Sequence, residues 1–135
     1  MTEIFPIQVR FNDVDQVGHI NNVMYGHYCD AARYHFLHSV MGDVMDLMHD
    51  NKILIMVHTE FDFVHPSFID TILRVETRIE SIGNRSVHLI HDVIDNKGVI
   101  HVHSKAVLSC YDKETDASFP MPQEWRSAIE AYMVQ

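Results

Sequence analysis

The sequence has 135 residues, of which 47% are hydrophobic and 21% are charged. This length favours one domain spanning residues 1–135, with room for one apolar core but not for separate cofactor and catalytic domains. Ten Lys and Arg stand against nineteen Asp and Glu, which gives a net charge of −9. Proteins that bind duplex nucleic acid need clustered positive charge to displace counterions from phosphates, so we expect no nucleic-acid partner.

The cysteines and the N-terminus favour a cytoplasmic protein that has no contact with a membrane. Cys29 and Cys110 are too few for a disulfide framework, so we expect reduced thiols. The first residues, Met-Thr-Glu-Ile-Phe-Pro, lack the basic and then apolar pattern of a signal peptide. The longest apolar run, residues 53–57, is too short to cross a bilayer.

The first third of the chain predicts a strand and a long helix. Apolar and polar residues alternate from Ile7 to Phe11, which indicates a half-buried strand that begins after Pro6. After a polar segment, apolar residues recur at helical spacing, and either Asn21 or Asn22 is the predicted N-cap. Gly42 is the predicted end of the helix. The apolar stripe consists of Tyr25, Cys29, Ala32, Phe36 and Val40.

The rest of the chain predicts a short helix, four strands and a final helix. Residues 43–49 favour the short helix. Strands follow at residues 53–63, 73–79, 86–95 and 99–111, separated by turn residues. Odd-numbered residues from Ile53 to Phe63 and from Leu73 to Ile79 are expected to share the face that covers the helix. An amphipathic helix follows Pro120 and Pro122. Successive strands with short turns imply an antiparallel sheet, so the fold class is α+β.

The many histidines raise the question of a metal site. His88 and His91 are three residues apart and point to opposite faces of a strand, so they cannot be joint ligands. If the last hairpin closes through a two-residue turn, several of its polar residues form one outer face. A polar outer face or a subunit interface is therefore favoured over a metal site. The predicted outer face consists of His88, Asp92, His101, His103 and Lys105.

The segment from Phe11 to Arg33, FNDVDQVGHINNVMYGHYCDAAR, resembles the signature of the hotdog-fold acyl-CoA thioesterases of the 4-hydroxybenzoyl-CoA thioesterase type. The resemblance covers nearly the whole chain, because the predicted element order is also the order of that fold. Ile69 stands where the family usually has Gly. The residues that carry the resemblance are Asp15, Gly18, His19, Asn21, Asn22, Tyr25, Tyr28, Ala32 and Arg33, and more weakly Phe63, His65, Pro66, Asp70, Gly83, Arg85 and Ser86.

The resemblance implies a five-stranded antiparallel sheet wrapped around one long central helix, and a catalytic role for Asp15. This carboxylate either attacks the thioester carbonyl or activates a water molecule, and the sequence leaves both routes open. Asn22 marks the start of the central helix, where free backbone N–H groups would stabilise the oxyanion. His19 would orient water or Asp15, and Gly18 would permit close approach of the chain. The neighbouring Asp13 occupies a position that is structural in the family.

The resemblance also implies residues that bind the substrate, and a second subunit. Tyr25 is expected in the core and the pocket wall. His58 and Thr59 are the polar residues that a neighbouring subunit would contribute. Arg85 and Ser86 lie at the turn that would hold the phosphates of coenzyme A. The assembly is expected to be a homodimer or a dimer of dimers. No cofactor is expected beyond the coenzyme A of the substrate itself.

Three functions follow from these features. The first is hydrolysis of an acyl-CoA to free acid and coenzyme A. The second is hydrolysis of an acyl-acyl carrier protein, although the acidic carrier needs a basic patch that the chain does not visibly supply. The third is a catalytically idle hotdog protein that binds acyl-CoA or organises partners, and the presence of Asp15 weighs against it.

Overall fold

The computed structural model of the chain describes residues 1–42 and 51–133. The predicted short helix at residues 43–49 lies outside the described residues. A single 3-10 turn covers Phe11–Asp13. The remaining elements are β1 (Thr2–Pro6), α1 (Asn22–Met41), β2 (Lys52–Phe63), β3 (Leu73–Ile82), β4 (Ser86–Asp95), β5 (Ile100–Asp112), β6 (Ala117–Ser118) and α2 (Gln123–Met133).

The strands form one antiparallel sheet in the order β1-β3-β4-β5-β2. The sheet has the predicted five main strands, although the first lies at Thr2–Pro6 and not at residues 7–11. The two-residue strand β6, which the sequence pattern did not reveal, pairs with the end of β5. Strand β2 pairs with β5 rather than with its neighbour in sequence, so β1 and β2 lie at opposite edges of the sheet. Helices α1 and α2 cover the inner face.

Helix α1 begins and ends where the sequence predicts. The side chain of Asn21 accepts a hydrogen bond from the Val23 amide and caps the helix, and Gly42 ends it with a positive φ of 47°. Four residues of the predicted apolar stripe, Tyr25, Cys29, Ala32 and Phe36, are buried. Both cysteines are buried free thiols, as expected. Within the described residues, neither helix combines the length and the apolar character that a membrane span requires.

The prediction of a first strand from Ile7 to Phe11 is wrong. Strand β1 ends at Pro6, and only the Ile7 amide continues the pairing, by donating to the Leu73 carbonyl. The side chain of Asp13 accepts a hydrogen bond from the Arg10 amide at 3.0 Å, which closes residues 10–13 into a turn. Phe11 lies in this turn with 81% of its surface exposed, so it does not belong to the core.

A β-bulge corrects the predicted inner face of β2. The register of β2 against β5 shifts between Met56 and His58, which leaves Val57 as the extra residue. Before the bulge the even-numbered Leu54 faces the core opposite Cys110, whereas Ile53 pairs with an outward-facing residue of β5. After the bulge the odd-numbered residues face the core, as predicted. One inserted residue therefore inverts the faces over half of the strand.

The hairpin of β4 and β5 has the predicted register except at His101. Asp92 pairs with His103 on the outer face, and Val93 pairs with Val102 on the inner face. The register then shifts, so His101 is a bulged residue rather than a member of the outer polar face. His101 is buried, with 6% of its surface exposed. Its inclusion in the polar face was wrong because the bulge redirects its side chain.

A polar cluster lies within the core beneath α1. His91 is completely buried on the inner face of β4, and its Nδ1 lies 2.8 Å from the Thr77 hydroxyl. Its Nε2 lies 3.4 Å from Nη1 of the buried Arg33, which also pairs with Asp30 as the i, i+3 spacing implies. Burial, reinforced by the Arg33 charge, lowers the pKa of His91 to about 3. This histidine is therefore neutral in the folded protein.

The neutral His91 predicts a loss of stability in acid. Between about pH 6.5 and about pH 3 the unfolded chain binds a proton at this residue and the folded chain does not, so stability falls as the pH falls. We expect His91 to contribute a loss on the order of 3 kcal/mol between about pH 7 and about pH 4. Urea unfolding across this range checks the value. His91→Gln should flatten the dependence, whereas His88→Gln, on the outer face, should leave it unchanged.

Candidate active site

Asp15 lies in a tight loop between the 3-10 turn and α1. Its Oδ1 accepts hydrogen bonds from the amides of Val17 at 3.0 Å and His19 at 3.1 Å. The loop closes through backbone bonding between Asp15 and His19, and Gly18 adopts a φ of 83° that favours glycine. Asp15 is exposed, and its second oxygen, Oδ2, accepts no hydrogen bond within the described residues. The loop therefore orients one oxygen and leaves the other available.

The neighbouring Asp13 is a structural residue, in agreement with the implied role. It is buried, and its carboxylate accepts hydrogen bonds from the Arg10 amide and from the Tyr28 hydroxyl, the latter at 2.8 Å. Burial raises the pKa of Asp13, but the bonds from Arg10 and Tyr28 outweigh that effect and hold the pKa below its ordinary value. Its backbone carbonyl accepts from the Asn21 amide, so Asp13 also fixes the start of α1.

Asp15 lines a cavity of about 310 Å³ where the loop, the start of α1 and the end of β2 meet. Asp15, His19 and Asn22, which the sequence assigns to catalysis, all line this cavity. Tyr25, one of the predicted substrate-binding residues, lines it as well. Gly18 lines an adjacent space with Asp15 and Ile69. The lining residues are Asp15, His19, Ile20, Asn21, Asn22, Tyr25, Phe63, Val64, His65 and Pro66.

The N-terminus of α1 borders this cavity and carries a free backbone amide. Asn22 is the first residue of the helix, and the cap leaves its amide without a partner among the described residues. The helix dipole adds a partial positive charge at this end. Asp15 and Asn22 therefore line one cavity. A carboxylate beside a helix N-terminus is an arrangement that can attack a carbonyl carbon and stabilise the oxyanion that forms.

The opposite wall of the cavity follows β2. The amides of Val64 and His65 both donate to the His101 carbonyl, at 2.8 Å and 3.0 Å. The ring of Phe63 lies 5.8 Å from the ring of Tyr25, measured between centroids. His65 was given no role from the sequence, because it joins the lining of this cavity through a contact with the distant β5. The resemblance included His65, which was the one available signal.

The remaining predicted substrate-binding residues do not line this cavity. His58 lies on the outer face of β2 near Glu60, and Thr59 lies on the inner face and bonds to the Lys105 carbonyl. Arg85 donates to the Ser118 carbonyl at 2.9 Å, and Ser86 begins β4 beside it.

Arg85 lies far from the cavity along the length of β5. The Arg85 carbonyl accepts from the Cys110 amide, whereas the cavity wall is bonded to His101. Nine residues of extended β5 separate these two points, which corresponds to about 30 Å. Arg85 and Asp15 of one chain therefore lie near opposite ends of the sheet.

A buried Ser-His-Asp arrangement borders the same wall. Nδ1 of His101 lies 2.8 Å from the Ser67 hydroxyl, and its Nε2 lies 2.9 Å from Oδ2 of Asp95. Such a set can act as a nucleophilic triad only if the serine meets the substrate. Ser67 is completely buried, so it is not positioned for attack. Sequence spacing gave no indication of this cluster, since its members come from three different segments.

Comparisons with known proteins give a consistent result. A family model described as the thioesterase-like superfamily matches residues 9–129. The acyl-CoA thioesterase YbgC of Haemophilus influenzae is 23% identical over 128 residues, which cover 93% of this chain and 92% of that protein. The two proteins therefore align over nearly their whole lengths.

Solved structures of similar proteins share the fold. A predicted thioesterase from Bacillus stearothermophilus superimposes with a TM-score of 0.85 at 23% identity, covering 97% of this chain and 96% of that one. A thioesterase from Thermus thermophilus, complexed with coenzyme A and Zn, gives a TM-score of 0.83 at 24% identity, covering 98% and 94%. These superpositions confirm the predicted hotdog fold.

The contrast between Asp13 and Asp15 leads to a stability prediction. Asp13→Ala should lower the free energy of unfolding by about 2–3 kcal/mol, because it leaves the Tyr28 hydroxyl and the Arg10 amide without their charged acceptor. It should also lower the pKa of Tyr28, which burial and the bond to Asp13 both raise. Urea unfolding and phenol absorbance measure the two effects. Asp15→Ala, at the exposed loop, should leave the tyrosine titration unchanged.

Proposed function

The chain belongs to the thioesterase-like superfamily, and from this premise we propose that it hydrolyses an acyl-CoA to a free acid and coenzyme A. The predicted class, thioester hydrolase, is confirmed at the level of the family. One observation carries the more specific proposal: Asp15 and the N-terminus of α1 line the same cavity. A thioester hydrolase needs both a base or nucleophile and an oxyanion donor at one carbonyl group.

Asp15 is proposed as the catalytic carboxylate. With Oδ1 held by two amides, Oδ2 is the oxygen that reacts. As a general base it takes a proton from water while the water oxygen attacks the thioester carbon, and the thiolate of coenzyme A leaves. As a nucleophile Oδ2 attacks the thioester carbon and expels the thiolate of coenzyme A, which leaves the acyl group on Asp15 as a mixed anhydride; water then hydrolyses this anhydride to the free acid and restores the carboxylate. Both routes use the same geometry.

The amide of Asn22 is proposed as an oxyanion donor. Because the donor is the backbone, the Asn22 side chain can be replaced without removing it, provided that α1 still begins there. His19 is proposed to orient water or substrate beside Asp15. Its ring packs edge-on against Phe68, with centroids 4.7 Å apart, so its position is constrained. Tyr25 is proposed as part of the acyl pocket wall.

A second copy of the chain is proposed to complete the site. Strand β2 forms one edge of the sheet and exposes apolar side chains, including Val57 at 57% and Phe63 at 49%. An exposed apolar edge strand favours pairing with another strand. Antiparallel pairing of β2 with the β2 of a second copy would bring the partner subunit's Arg85 to the end of the sheet that holds this cavity. The phosphates of coenzyme A could then be bound from across the interface.

The charge distribution favours coenzyme A over an acyl carrier protein. Half of the ten Lys and Arg residues pair with carboxylates within the described residues, which leaves little basic surface for an acidic protein. A single anionic ligand needs only local positive charge. The five paired residues are Arg10, Arg33, Arg74, Arg78 and Lys105.

Asp15→Asn tests the catalytic proposal. Asn retains an oxygen that can accept from the Val17 and His19 amides, so the loop should persist while the negative charge is lost. We expect kcat to fall by about 10²- to 10⁴-fold in free-thiol release from a panel of acyl-CoAs. Glu130→Gln, which removes one negative charge at an exposed position of α2 away from the proposed interface, serves as the matched control. Full activity of Asp15→Asn would exclude this residue, and binding without hydrolysis by the wild type would favour a non-catalytic protein.

Arg85→Ala tests the proposed phosphate contact. We expect KM for an acyl-CoA to rise about tenfold, because a hydrogen bond to a charged phosphate is lost. The same acyl group on pantetheine, which lacks the nucleotide, should be hydrolysed equally by variant and wild type. Lys113→Ala controls for a general loss of positive charge at that end of the sheet. An equal rise in KM for both substrates would contradict a role at the phosphates.

A further inference from the structure

His101 joins three segments of the chain through its backbone and its ring. Its carbonyl accepts from the amides of Val64 and His65, at 2.8 Å and 3.0 Å. Its Nδ1 lies 2.8 Å from Ser67 Oγ and 3.1 Å from the Pro66 carbonyl oxygen. One buried residue therefore contacts four consecutive residues, 64–67, of which the first three line the candidate active-site cavity.

The same contacts extend to the loop of Asp15. The Ser67 carbonyl accepts from the Ile20 amide at 2.8 Å, and a further bridge pairs His19 with Phe68. The position of Ser67 therefore determines how the wall of the cavity meets the Asp15 loop. The ring of His101 is the side chain that fixes Ser67.

We infer that His101 is a positioning residue for the hydrolysis: its Nδ1 holds the Ser67 hydroxyl so that the cavity wall stays in register with the Asp15 loop. This inference rests on the proposed function. It assigns a role to a residue that does not touch the substrate and that is not among the residues lining the cavity.

The surroundings of the ring determine which nitrogen carries a proton. Oδ2 of Asp95 lies 2.9 Å from Nε2, and the bond from His101, together with the Val99 amide, lowers the pKa of Asp95 to about 2. An ionised carboxylate only accepts hydrogen bonds, so Nε2 carries a proton. Asp95 thus fixes the ring orientation that leaves Nδ1 facing Ser67. In the same way, a carboxylate bonded to one nitrogen of a functional histidine sets the protonation of the other nitrogen.

A pair of substitutions separates the two ends of the ring. The amide of His101→Asn lies near the position of Nδ1 and can still bond to Ser67, whereas the amide of His101→Gln lies near that of Nε2 and can bond only to Asp95. We expect kcat to fall about 10- to 100-fold in His101→Gln, with a smaller loss in His101→Asn, because displaced groups miss the productive geometry. KM should change less than kcat, since the nucleotide binds elsewhere.

His103→Gln is the matched control. His103 lies two residues along β5 and also pairs with an aspartate, with its Nδ1 2.5 Å from Oδ1 of Asp92, but on the outer face of the sheet. Its kcat should equal that of the wild type. Equal kcat in the wild type and both His101 variants would overturn the inference. Equal losses in both His101 variants would also overturn it, because a general structural role would not distinguish the two ends of the ring.

Amide hydrogen exchange separates this inference from the proposed function. In His101→Gln we expect faster exchange at the Ile20 amide, which bonds to Ser67, but unchanged exchange at the Val23 amide that Asn21 caps. This result does not depend on turnover. If the wild type hydrolyses no thioester, the proposed function fails, but the exchange experiment still tests whether His101 holds Ser67 in place. If Asp15→Asn is inactive and exchange at the Ile20 amide is unchanged in His101→Gln, the proposed function stands and only the role of His101 fails.

Discussion

The hydrogen bond from the Ile20 amide to the Ser67 carbonyl joins the two halves of the candidate site. On one side it anchors the loop that carries Asp15 and leads into α1. On the other side it anchors the segment that follows β2 and forms the facing wall. The two residues are 47 positions apart, so no local preference brings them together. This long-range contact brings the Asp15 loop beside the segment that follows β2, and the cavity lies between them.

Three polar groups behind the cavity keep that junction in place. Asp13 fixes the start of α1 through its carbonyl and holds Tyr28 through its carboxylate. His101 holds Ser67, and Asp95 holds His101. Each of these groups is costly to bury without partners, and each has them. The carboxylate of Asp15, which we propose as the catalytic group, is the exception, because Asp15 is exposed on an ordered loop. A preorganised site requires both kinds of group: buried polar groups that hold the structure in place, and an accessible group that can react.

The sequence was sufficient to predict the parts of the fold that depend on local patterns. Helix α1 has its expected cap at Asn21 and its expected end at Gly42 because capping and glycine preferences act over a few residues. The β4 and β5 strands alternate as expected. The grouping of Asp15, His19 and Asn22 was also predictable, because all three lie within one turn and the start of one helix. The same proximity made Asp13 ambiguous without the resemblance, since only burial distinguishes the two carboxylates.

The features that escaped prediction depend on single inserted residues and on contacts between distant segments. At Val57 a bulge inverts the inner face of β2, and at His101 a second bulge turns a side chain away from the expected outer face. A bulge leaves no periodic signal, because the alternation on each side of it is intact. The second bulge has the larger consequence. It separates two histidines that are two residues apart on β5: His103 pairs with Asp92 on the outer face, whereas His101 contacts the wall of the cavity. The different surroundings of these two residues therefore follow from one change of register.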